Sequence, residues 1–194
     1  GKVAVVTGGT SGIGQETARM LAWKGATVII FGRNPKIHEI AAQLGPKVTG
    51  INVDITQTTQ IAAAVDQVIK MNGAIDILVN SAGIGSGKPA EDISEEEFMN
   101  VLNVNLKSAF MVAQCVGRTM LESGRGGRII NIASDAGVVA LKDHIAYSPS
   151  KAGLISVTRT LALEWGPYGI TTNAVSPCVV MTPMSKAYWV GEKA

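Results

Sequence analysis

Two side chains with acid–base potential, Tyr147 and Lys151, lie four positions apart in the sequence. If a helix begins near Pro149, this spacing places both side chains on one face of that helix. A tyrosine hydroxyl ordinarily titrates at about pH 10, but a neighbouring ammonium group stabilises the phenolate and lowers that pKa. The pair therefore predicts a site that exchanges a proton with a bound molecule. The alternative is an ordinary helix surface, where this spacing also occurs.

A glycine-rich segment from Gly8 to Gly14 follows the first apolar run and precedes a helical pattern. Glycine at positions 8, 12 and 14 permits a tight turn and lets backbone N–H groups approach a pyrophosphate. The N-terminus of the next helix adds unpaired donors and a favourable dipole. The segment thus predicts a dinucleotide-binding turn, with an ordinary strand-to-helix turn as the alternative. Its expected contacts are Gly8, Thr10, Ser11, Gly12, Ile13 and Gly14.

Six short runs rich in β-branched residues alternate with segments of helical periodicity. The runs are 3–7, 27–31, 48–53, 75–80, 128–132 and 171–175. They lack polar alternation, which is typical of parallel strands covered by helices on both faces. The pattern predicts an α/β fold: a doubly wound parallel sheet (Rossmann) of at least six strands, in three αβα layers, with one domain over residues 1–194.

Composition argues against several classes of function. The 17 Lys and Arg residues are scattered and the net charge is only +2, which disfavours nucleic-acid binding. No apolar run reaches the roughly 18 residues of a membrane span, and no secretory signal is visible, so we expect a cytoplasmic protein without membrane contact. The two cysteines, Cys115 and Cys178, are too few for a disulfide framework or a four-ligand zinc site, and no metal is expected.

With Asn80-Ser81-Ala82-Gly83 between the glycine turn and the Tyr147–Lys151 pair, the chain resembles the short-chain dehydrogenase/reductase family over nearly its whole length. The resemblance implies an NAD(P)-dependent enzyme that interconverts a secondary alcohol and a ketone by hydride transfer. It implies that Tyr147 is the general acid and base, and that Ser134 hydrogen-bonds the same substrate oxygen. Lys151 would also hold the nicotinamide ribose, and Asn105 would hold a water in the proton relay.

The same resemblance implies the remaining contacts to the dinucleotide. Asp54 would meet the adenine amino group, and Val180 and Thr182 would hold the nicotinamide carboxamide. Taken singly, each residue also fits a structural role, such as an exposed turn aspartate or a serine that caps a turn. The implied cofactor contacts outside the glycine turn and Arg33 are Asp54, Ile55, Asn80, Ala82, Gly83, Tyr147, Lys151, Pro177, Val180 and Thr182.

The end of the second run bears on the choice of cofactor. NAD-preferring relatives usually carry an acidic residue at the position of Gly32, which accepts hydrogen bonds from the adenosine ribose. Here no carboxylate is present, and Arg33 follows, which can bind a 2′-phosphate. We therefore predict NADP(H), with NAD(H) still possible because the glycine turn lacks the further basic residue of many NADP-binding relatives. An Arg33 that is simply solvated is the alternative.

The segment after the last run departs from the family pattern, because Cys178 stands where glycine usually follows proline. Some sugar and polyol reductases of the family share such a replacement, so the chain is similar to sugar and polyol dehydrogenases such as the gluconate 5-dehydrogenase-like enzymes. Asp135 and His144 are candidate contacts to a polyhydroxylated substrate, with exposed loop residues as the alternative.

Relatives typically extend further, so we expect this chain to lack the usual C-terminal lid and last strand, with Tyr188 and Trp189 as lid residues or a frayed end. Family members commonly pair through long helices, here 103–123 and 150–165, which implies a homodimer or homotetramer. A non-catalytic dinucleotide sensor of the same fold is the alternative function. An epimerase or dehydratase would need a longer substrate domain.

Overall fold

A computed structural model describes residues 1–186 of the chain, so Tyr188 and Trp189 lie outside the described residues. The centre of the fold is one parallel sheet. The strands are β1 (Val3–Thr7), β2 (Thr27–Gly32), β3 (Val48–Asn52), β4 (Ile77–Asn80), β5 (Gly127–Ile132) and β6 (Ile170–Val175). Their order is β3-β2-β1-β4-β5-β6, and every neighbouring pair is parallel. The predicted doubly wound α/β fold is confirmed.

Helices connect the strands and cover both faces of the sheet. They are α1 (Gly12–Trp23), α2 (Ile37–Leu44), α3 (Thr58–Asn72), α4 (Glu95–Leu102), α5 (Ser108–Ser123), α6 (Tyr147–Trp165) and α7 (Pro183–Lys186). A π-helical turn, Asn103–Lys107, joins α4 to α5, and short 3-10 turns occupy Asp135–Gly137 and Gly166–Tyr168. No helix among residues 1–186 is long and apolar enough to cross a membrane.

Two apolar cores follow from the alternation of side chains along each strand. In β1, Val5 lies in the core formed with α3 and α5, opposite Ile29 of β2 and Leu78 of β4. Its neighbours Ala4 and Val6 lie in the second core, with side chains of α1 and α2. Because both faces of the sheet are buried, its strands need apolar residues at successive positions, which is why they lack polar alternation.

Several boundaries differ from the sequence expectations: one end of β2, β3, β5 and β6 differs by one residue, and two other elements begin two residues away from the expected position. The fourth strand begins at Ile77 rather than at residue 75, and the preceding Asp76 carboxylate instead accepts from the Val3 backbone N–H at 2.8 Å and pairs with Lys2 and Arg125. The helix expected near Pro149 begins two residues earlier, at Tyr147. Tyr147 is therefore the first residue of α6, one full turn before Lys151.

The sheet order reverses direction at β1, and the loops after β1 and β4 meet at the carboxyl edge. Thr7 joins these two loops, because its hydroxyl oxygen accepts from the backbone N–H groups of Ser81 at 3.1 Å and Ala82 at 3.2 Å. In open α/β sheets this switch point is where ligands bind. The fold thus places the glycine turn and the Asn80–Gly83 segment side by side.

Candidate active site

A cavity of about 350 Å³ opens at the carboxyl edge of the sheet. It is lined by the glycine turn, the loops after β4, β5 and β6, and the first turn of α6. Among the predicted site residues it brings together Gly8, Ser11, Gly12, Ile13, Gly14, Ala82, Gly83, Ser134, Asp135, His144, Tyr147, Lys151, Pro177, Val180 and Thr182. Residues predicted for the site that do not line the cavity are Thr10, Arg33, Asp54, Ile55, Asn80 and Asn105.

The glycine turn has the shape that a pyrophosphate requires. Gly8 and Gly12 have positive φ, and a Cβ on Gly8 would lie 2.8 Å from the Ala82 backbone. A Cβ on Gly14 would overlap the carbonyl oxygen of Gly8. Ser11 precedes α1 without a side-chain capping bond, so the first N–H groups of the helix are not satisfied by this residue. The residues therefore fit a dinucleotide.

The three candidate catalytic side chains, Ser134, Tyr147 and Lys151, line the same cavity. Lys151 is buried, and its Nζ donates to the Ile132 carbonyl oxygen at 2.8 Å and lies 5.6 Å from the centre of the Tyr147 ring. Ser134 caps a 3-10 turn, since its Oγ accepts from the Ala136 N–H at 3.2 Å, and it donates to Asp135 at 3.0 Å. The serine thus serves as a cap and also faces the cavity.

The acid–base properties of this cluster differ from the sequence expectation. Burial raises the pKa of the Tyr147 hydroxyl, the Ser134 hydroxyl lowers it, and the Asp135 carboxylate raises it further. Burial also lowers the pKa of Lys151 to about 8. The expected net lowering of the Tyr147 pKa by Lys151 is therefore wrong, because burial of the phenol hydroxyl has the largest effect on this pKa and raises it. At neutral pH, Tyr147 carries its proton and Lys151 is mainly charged.

Asn105 lies outside the cavity wall, on the π-helical turn, with its side chain completely buried. Its Oδ1 accepts from the Ile84 N–H at 2.8 Å, and its Nδ2 donates to the Ile84 carbonyl at 2.9 Å and to Ser150 Oγ at 3.1 Å. The carboxamide thus holds protein groups on two other segments. Its expected role with a water in the proton relay stays a prediction.

The candidate adenosine contacts follow β2 and β3. Arg33 is exposed, and no hydrogen bond or ion pair joins its side chain to the rest of residues 1–186. The Asp54 carboxylate accepts from the Thr56 N–H at 2.9 Å and from the Thr56 hydroxyl at 2.8 Å. These hydrogen bonds, with a smaller effect of Arg33, hold the pKa of Asp54 below its ordinary value. Asp54 thus acts as a turn residue, and its contact to adenine stays a prediction.

Polar groups at the mouth of the cavity could contact a substrate. The His144 ring lies edge-on to Tyr147, with ring centres 5.9 Å apart, and its Nδ1 is 2.6 Å from the Lys142 carbonyl oxygen. Because a carbonyl only accepts, Nδ1 carries the proton and a neutral His144 keeps Nε2 as an acceptor. A hydrogen bond from the Cys178 thiol holds the pKa of Asp135 below its ordinary value.

Several residues that line the cavity were not predicted from the sequence. Ser86, Leu141, Val179, Met184 and Ser185 line the cavity. Ser185 also fixes the segment after β6, since its Oγ accepts from the Thr182 N–H at 2.8 Å and donates to the Val180 carbonyl at 2.7 Å. The Thr182-x-x-Ser185 spacing is a capping signal that could have revealed this contact.

Comparison with known proteins decides the family. A family model described as short chain dehydrogenase matches residues 2–193. The chain belongs to the short-chain dehydrogenase family. It is 44% identical over 192 residues to the NAD-dependent glycerol dehydrogenase of Listeria innocua. The aligned region covers 98% of this chain and 75% of that protein.

Two further family members extend the comparison. The D-threitol dehydrogenase of Mycolicibacterium smegmatis is 43% identical over 197 residues, and the aligned region covers 100% of this chain and 75% of the dehydrogenase. The crystal structure of a variant of actinorhodin polyketide ketoreductase with NADPH superimposes with a TM-score of 0.93 at 37% identity, over 97% of this chain and 74% of the other. The protein with the present sequence is therefore an NAD(P)-dependent oxidoreductase that acts on CH–OH donors and binds a nicotinamide dinucleotide.

Proposed function

We propose that this enzyme interconverts a secondary alcohol and a ketone on a polyol, sugar or sugar acid, with NADP(H) as the preferred cofactor. The observation that carries the proposal is a single cavity that joins the glycine turn to Ser134, Tyr147 and Lys151. The two relatives named for glycerol and D-threitol support a small polyol as the substrate class.

Three side chains of the protein take part in the proton transfer. The nicotinamide, when bound, supplies or accepts the hydride. Tyr147 donates its proton to the carbonyl oxygen during ketone reduction and removes it again during alcohol oxidation. Ser134, whose hydroxyl donates to Asp135 in the free protein, turns that proton to the same oxygen, and the ammonium of Lys151 stabilises the phenolate that remains on Tyr147.

The remaining chain segments bind and orient the cofactor. The backbone N–H groups of the glycine turn and of the first turn of α1 bind the pyrophosphate. Lys151 holds the nicotinamide ribose, and Val180 and Thr182, placed by Ser185, hold the carboxamide. Ala82 and Gly83 allow close approach of the cofactor along the loop after β4.

The preference for NADP(H) rests on the end of β2. Gly32 offers no carboxylate to the ribose, and a Cβ there would come within 3.3 Å of Thr10 in the glycine turn. The exposed Arg33 guanidinium can therefore bind a 2′-phosphate without a competing acidic side chain beside it on β2. The relative at 44% identity is named as NAD-dependent, so the test of this preference compares both cofactors.

Replacing Arg33 by Ala is expected to weaken NADPH binding about tenfold, because a charge-assisted hydrogen bond to phosphate is lost. NADH, which lacks the 2′-phosphate, should bind the variant and the wild type equally well. Titration of nicotinamide fluorescence with both cofactors measures this difference. A wild-type protein that clearly prefers NADH would contradict the proposed cofactor.

Asp135 and His144 are proposed to contact the hydroxyl groups that distinguish a polyol from a simple alcohol. Replacing His144 by Ala is expected to raise KM for the best polyol about fivefold, the effect of one neutral hydrogen bond. KM for the cofactor should not change. His38, exposed on α2, is the matched control, and its replacement by Ala should leave both constants unchanged. An unchanged polyol KM in the His144 variant would count against this contact.

The test of the function is a panel of ketoses, keto acids, polyols and simple ketones with NADPH or NADP⁺, followed by nicotinamide absorbance. We expect turnover with at least one polyhydroxylated compound, and faster turnover than with a simple ketone of the same length. Turnover confined to simple ketones would contradict the substrate class. Failure of every compound would contradict the function.

We also propose a homodimer or homotetramer. The support is exposed apolar surface at the end of α6, where the side chains of Leu163 and Tyr168 are 80% and 63% exposed. Sedimentation velocity measures the state of assembly, and a monomer at micromolar concentration would refute the proposal.

A further inference from the structure

Ser150, the residue before Lys151 in α6, has a completely buried side chain with two hydrogen bonds. Its hydroxyl donates to the Tyr147 carbonyl oxygen at 2.6 Å and accepts from Asn105 Nδ2 at 3.1 Å. A hydroxyl has one proton to donate, so the donor is used inside the first turn of α6. The acceptor binds a different helical segment. Ser150 is therefore the side chain that links these two elements.

The link continues to the loop that lines the cavity. Asn105 holds both backbone groups of Ile84, the residue after Gly83. A Cβ on Gly83 would lie 3.2 Å from Asn105 Oδ1 and 3.7 Å from Lys151 Nζ, so the loop, the asparagine and the lysine meet closely. A chain of hydrogen bonds thus runs from Ile84 through Asn105 and Ser150 to the backbone of Tyr147.

The position of Tyr147 makes this chain important. Tyr147 is the first residue of α6, and the preceding residue, Ala146, provides no side-chain cap. Backbone hydrogen bonds from the Ser148 N–H to the His144 carbonyl at 2.9 Å and from the Ser150 N–H to the Ala146 carbonyl at 3.3 Å hold this turn to the preceding loop, but no side chain caps it. The hydroxyl of Ser150 adds a side-chain link, which joins the Tyr147 carbonyl to the buried carboxamide of Asn105.

We propose that Ser150 is a positioning residue for the reaction. It acts through the backbone of Tyr147, together with Asn105, and keeps the phenol hydroxyl in a constant position relative to Ser134 and Lys151. The inference rests on the proposed function, in which Tyr147 is the proton donor. It also makes a structural statement that needs no substrate: the Ser150 hydroxyl holds the start of α6 directly and the loop at Ile84 through Asn105.

The test compares Ser150→Ala with Ser148→Ala. Ser148 lies in the same turn of α6, and its buried hydroxyl has no hydrogen-bond partner among the described residues. Its removal should therefore be neutral. In Ser150→Ala we expect kcat to fall about tenfold, the scale of a small misplacement of a reacting group. KM for the substrate and the Kd of NADPH should stay within about twofold of the wild type.

Amide hydrogen exchange of the free protein supplies a readout without substrate or cofactor. The Ile84 and Lys151 amides should exchange faster in Ser150→Ala than in Ser148→Ala, with both variants folded by circular dichroism. Unchanged exchange at Ile84 would overturn the link, whatever the activity. A kcat within twofold of the wild type, or an equal loss in Ser148→Ala, would overturn the positioning role. If the wild type turns over no compound of the panel, the proposed function fails, and the exchange data still decide the link.

Discussion

Replacing Tyr147 by Phe is expected to lower kcat about a thousandfold in both directions of the reaction, the scale of lost general acid–base catalysis. The variant removes the hydroxyl group and keeps the ring. The ring's edge contact with His144 and the fold of α6 should therefore remain. Because the proposed pyrophosphate contacts come from the glycine turn, the Kd of NADPH should change less than about threefold.

The chain offers a matched control for this variant. Tyr168 lies on the 3-10 turn after α6 and is 63% exposed, so Tyr168→Phe should leave kcat unchanged. Steady-state kinetics and a fluorescence titration with NADPH measure the two effects separately. Turnover by Tyr147→Phe near the wild-type rate would overturn the mechanism, whereas loss of NADPH binding would show that the variant acts on the cofactor site.

Replacing Lys151 by Met is expected to change activity and stability in opposite directions. Turnover should fall about a thousandfold, because the charge that stabilises the phenolate of Tyr147 is lost. The free protein should become more stable at pH 7. Burial lowers the pKa of Lys151 from 10.5 to about 8, and a shift of this size corresponds to about 3 kcal/mol of unfavourable free energy. Loss of the hydrogen bond to the Ile132 carbonyl costs about 1 kcal/mol, so the free energy of unfolding of the variant should be higher than that of the wild type by about 2 kcal/mol.

The pH dependence gives the sign of this effect. Below pH 8 the lysine is charged in the folded and the unfolded chain, so the wild type carries the full penalty. Between pH 8 and 10.5 the folded lysine is neutral while the unfolded one still binds a proton, so the stability of the wild type rises with pH. The advantage of Lys151→Met should therefore shrink over this range.

Urea denaturation at pH 7 and pH 10, without cofactor, measures the free energy of unfolding of both proteins. Lys70→Met is the control, since Lys70 is exposed on α3 and its loss should change neither stability nor turnover. A Lys151→Met variant that is less stable than the wild type at pH 7 would contradict the unfavourable burial of this ammonium group.

Some expectations from the sequence depended on local patterns, and the fold confirmed them. The absence of polar alternation predicted strands covered on both faces, and the two cores on either side of β1 confirm it. The tight turn predicted at Gly8 and Gly14 is present: Gly8 has a positive φ, and a Cβ on Gly14 would overlap the carbonyl oxygen of Gly8, six residues earlier. Relatives named for polyols agree with the predicted resemblance.

Other properties could not be predicted, because they depend on residues far apart in the sequence. The four-residue spacing of Tyr147 and Lys151 placed them in one turn of α6, but burial by the surrounding elements set the directions of both pKa shifts. Asn105 was found by its resemblance to a family position, whereas its partners Ile84 and Ser150 lie 21 and 45 residues away. Ser150 carried no signal in the sequence, since a serine in a helix is ordinary.

The sequence by itself thus determined the fold class, the glycine turn after β1 and the position of Tyr147 and Lys151 one turn apart, since strand patterning and helical spacing depend on residues close along the chain. The tertiary structure alone decided how deeply Tyr147 and Lys151 are buried, which strands have carboxyl ends that line one cavity, and which hydroxyl holds the start of α6. Those features arise from desolvation and from hydrogen bonds between distant segments, and both exist only after the chain has packed.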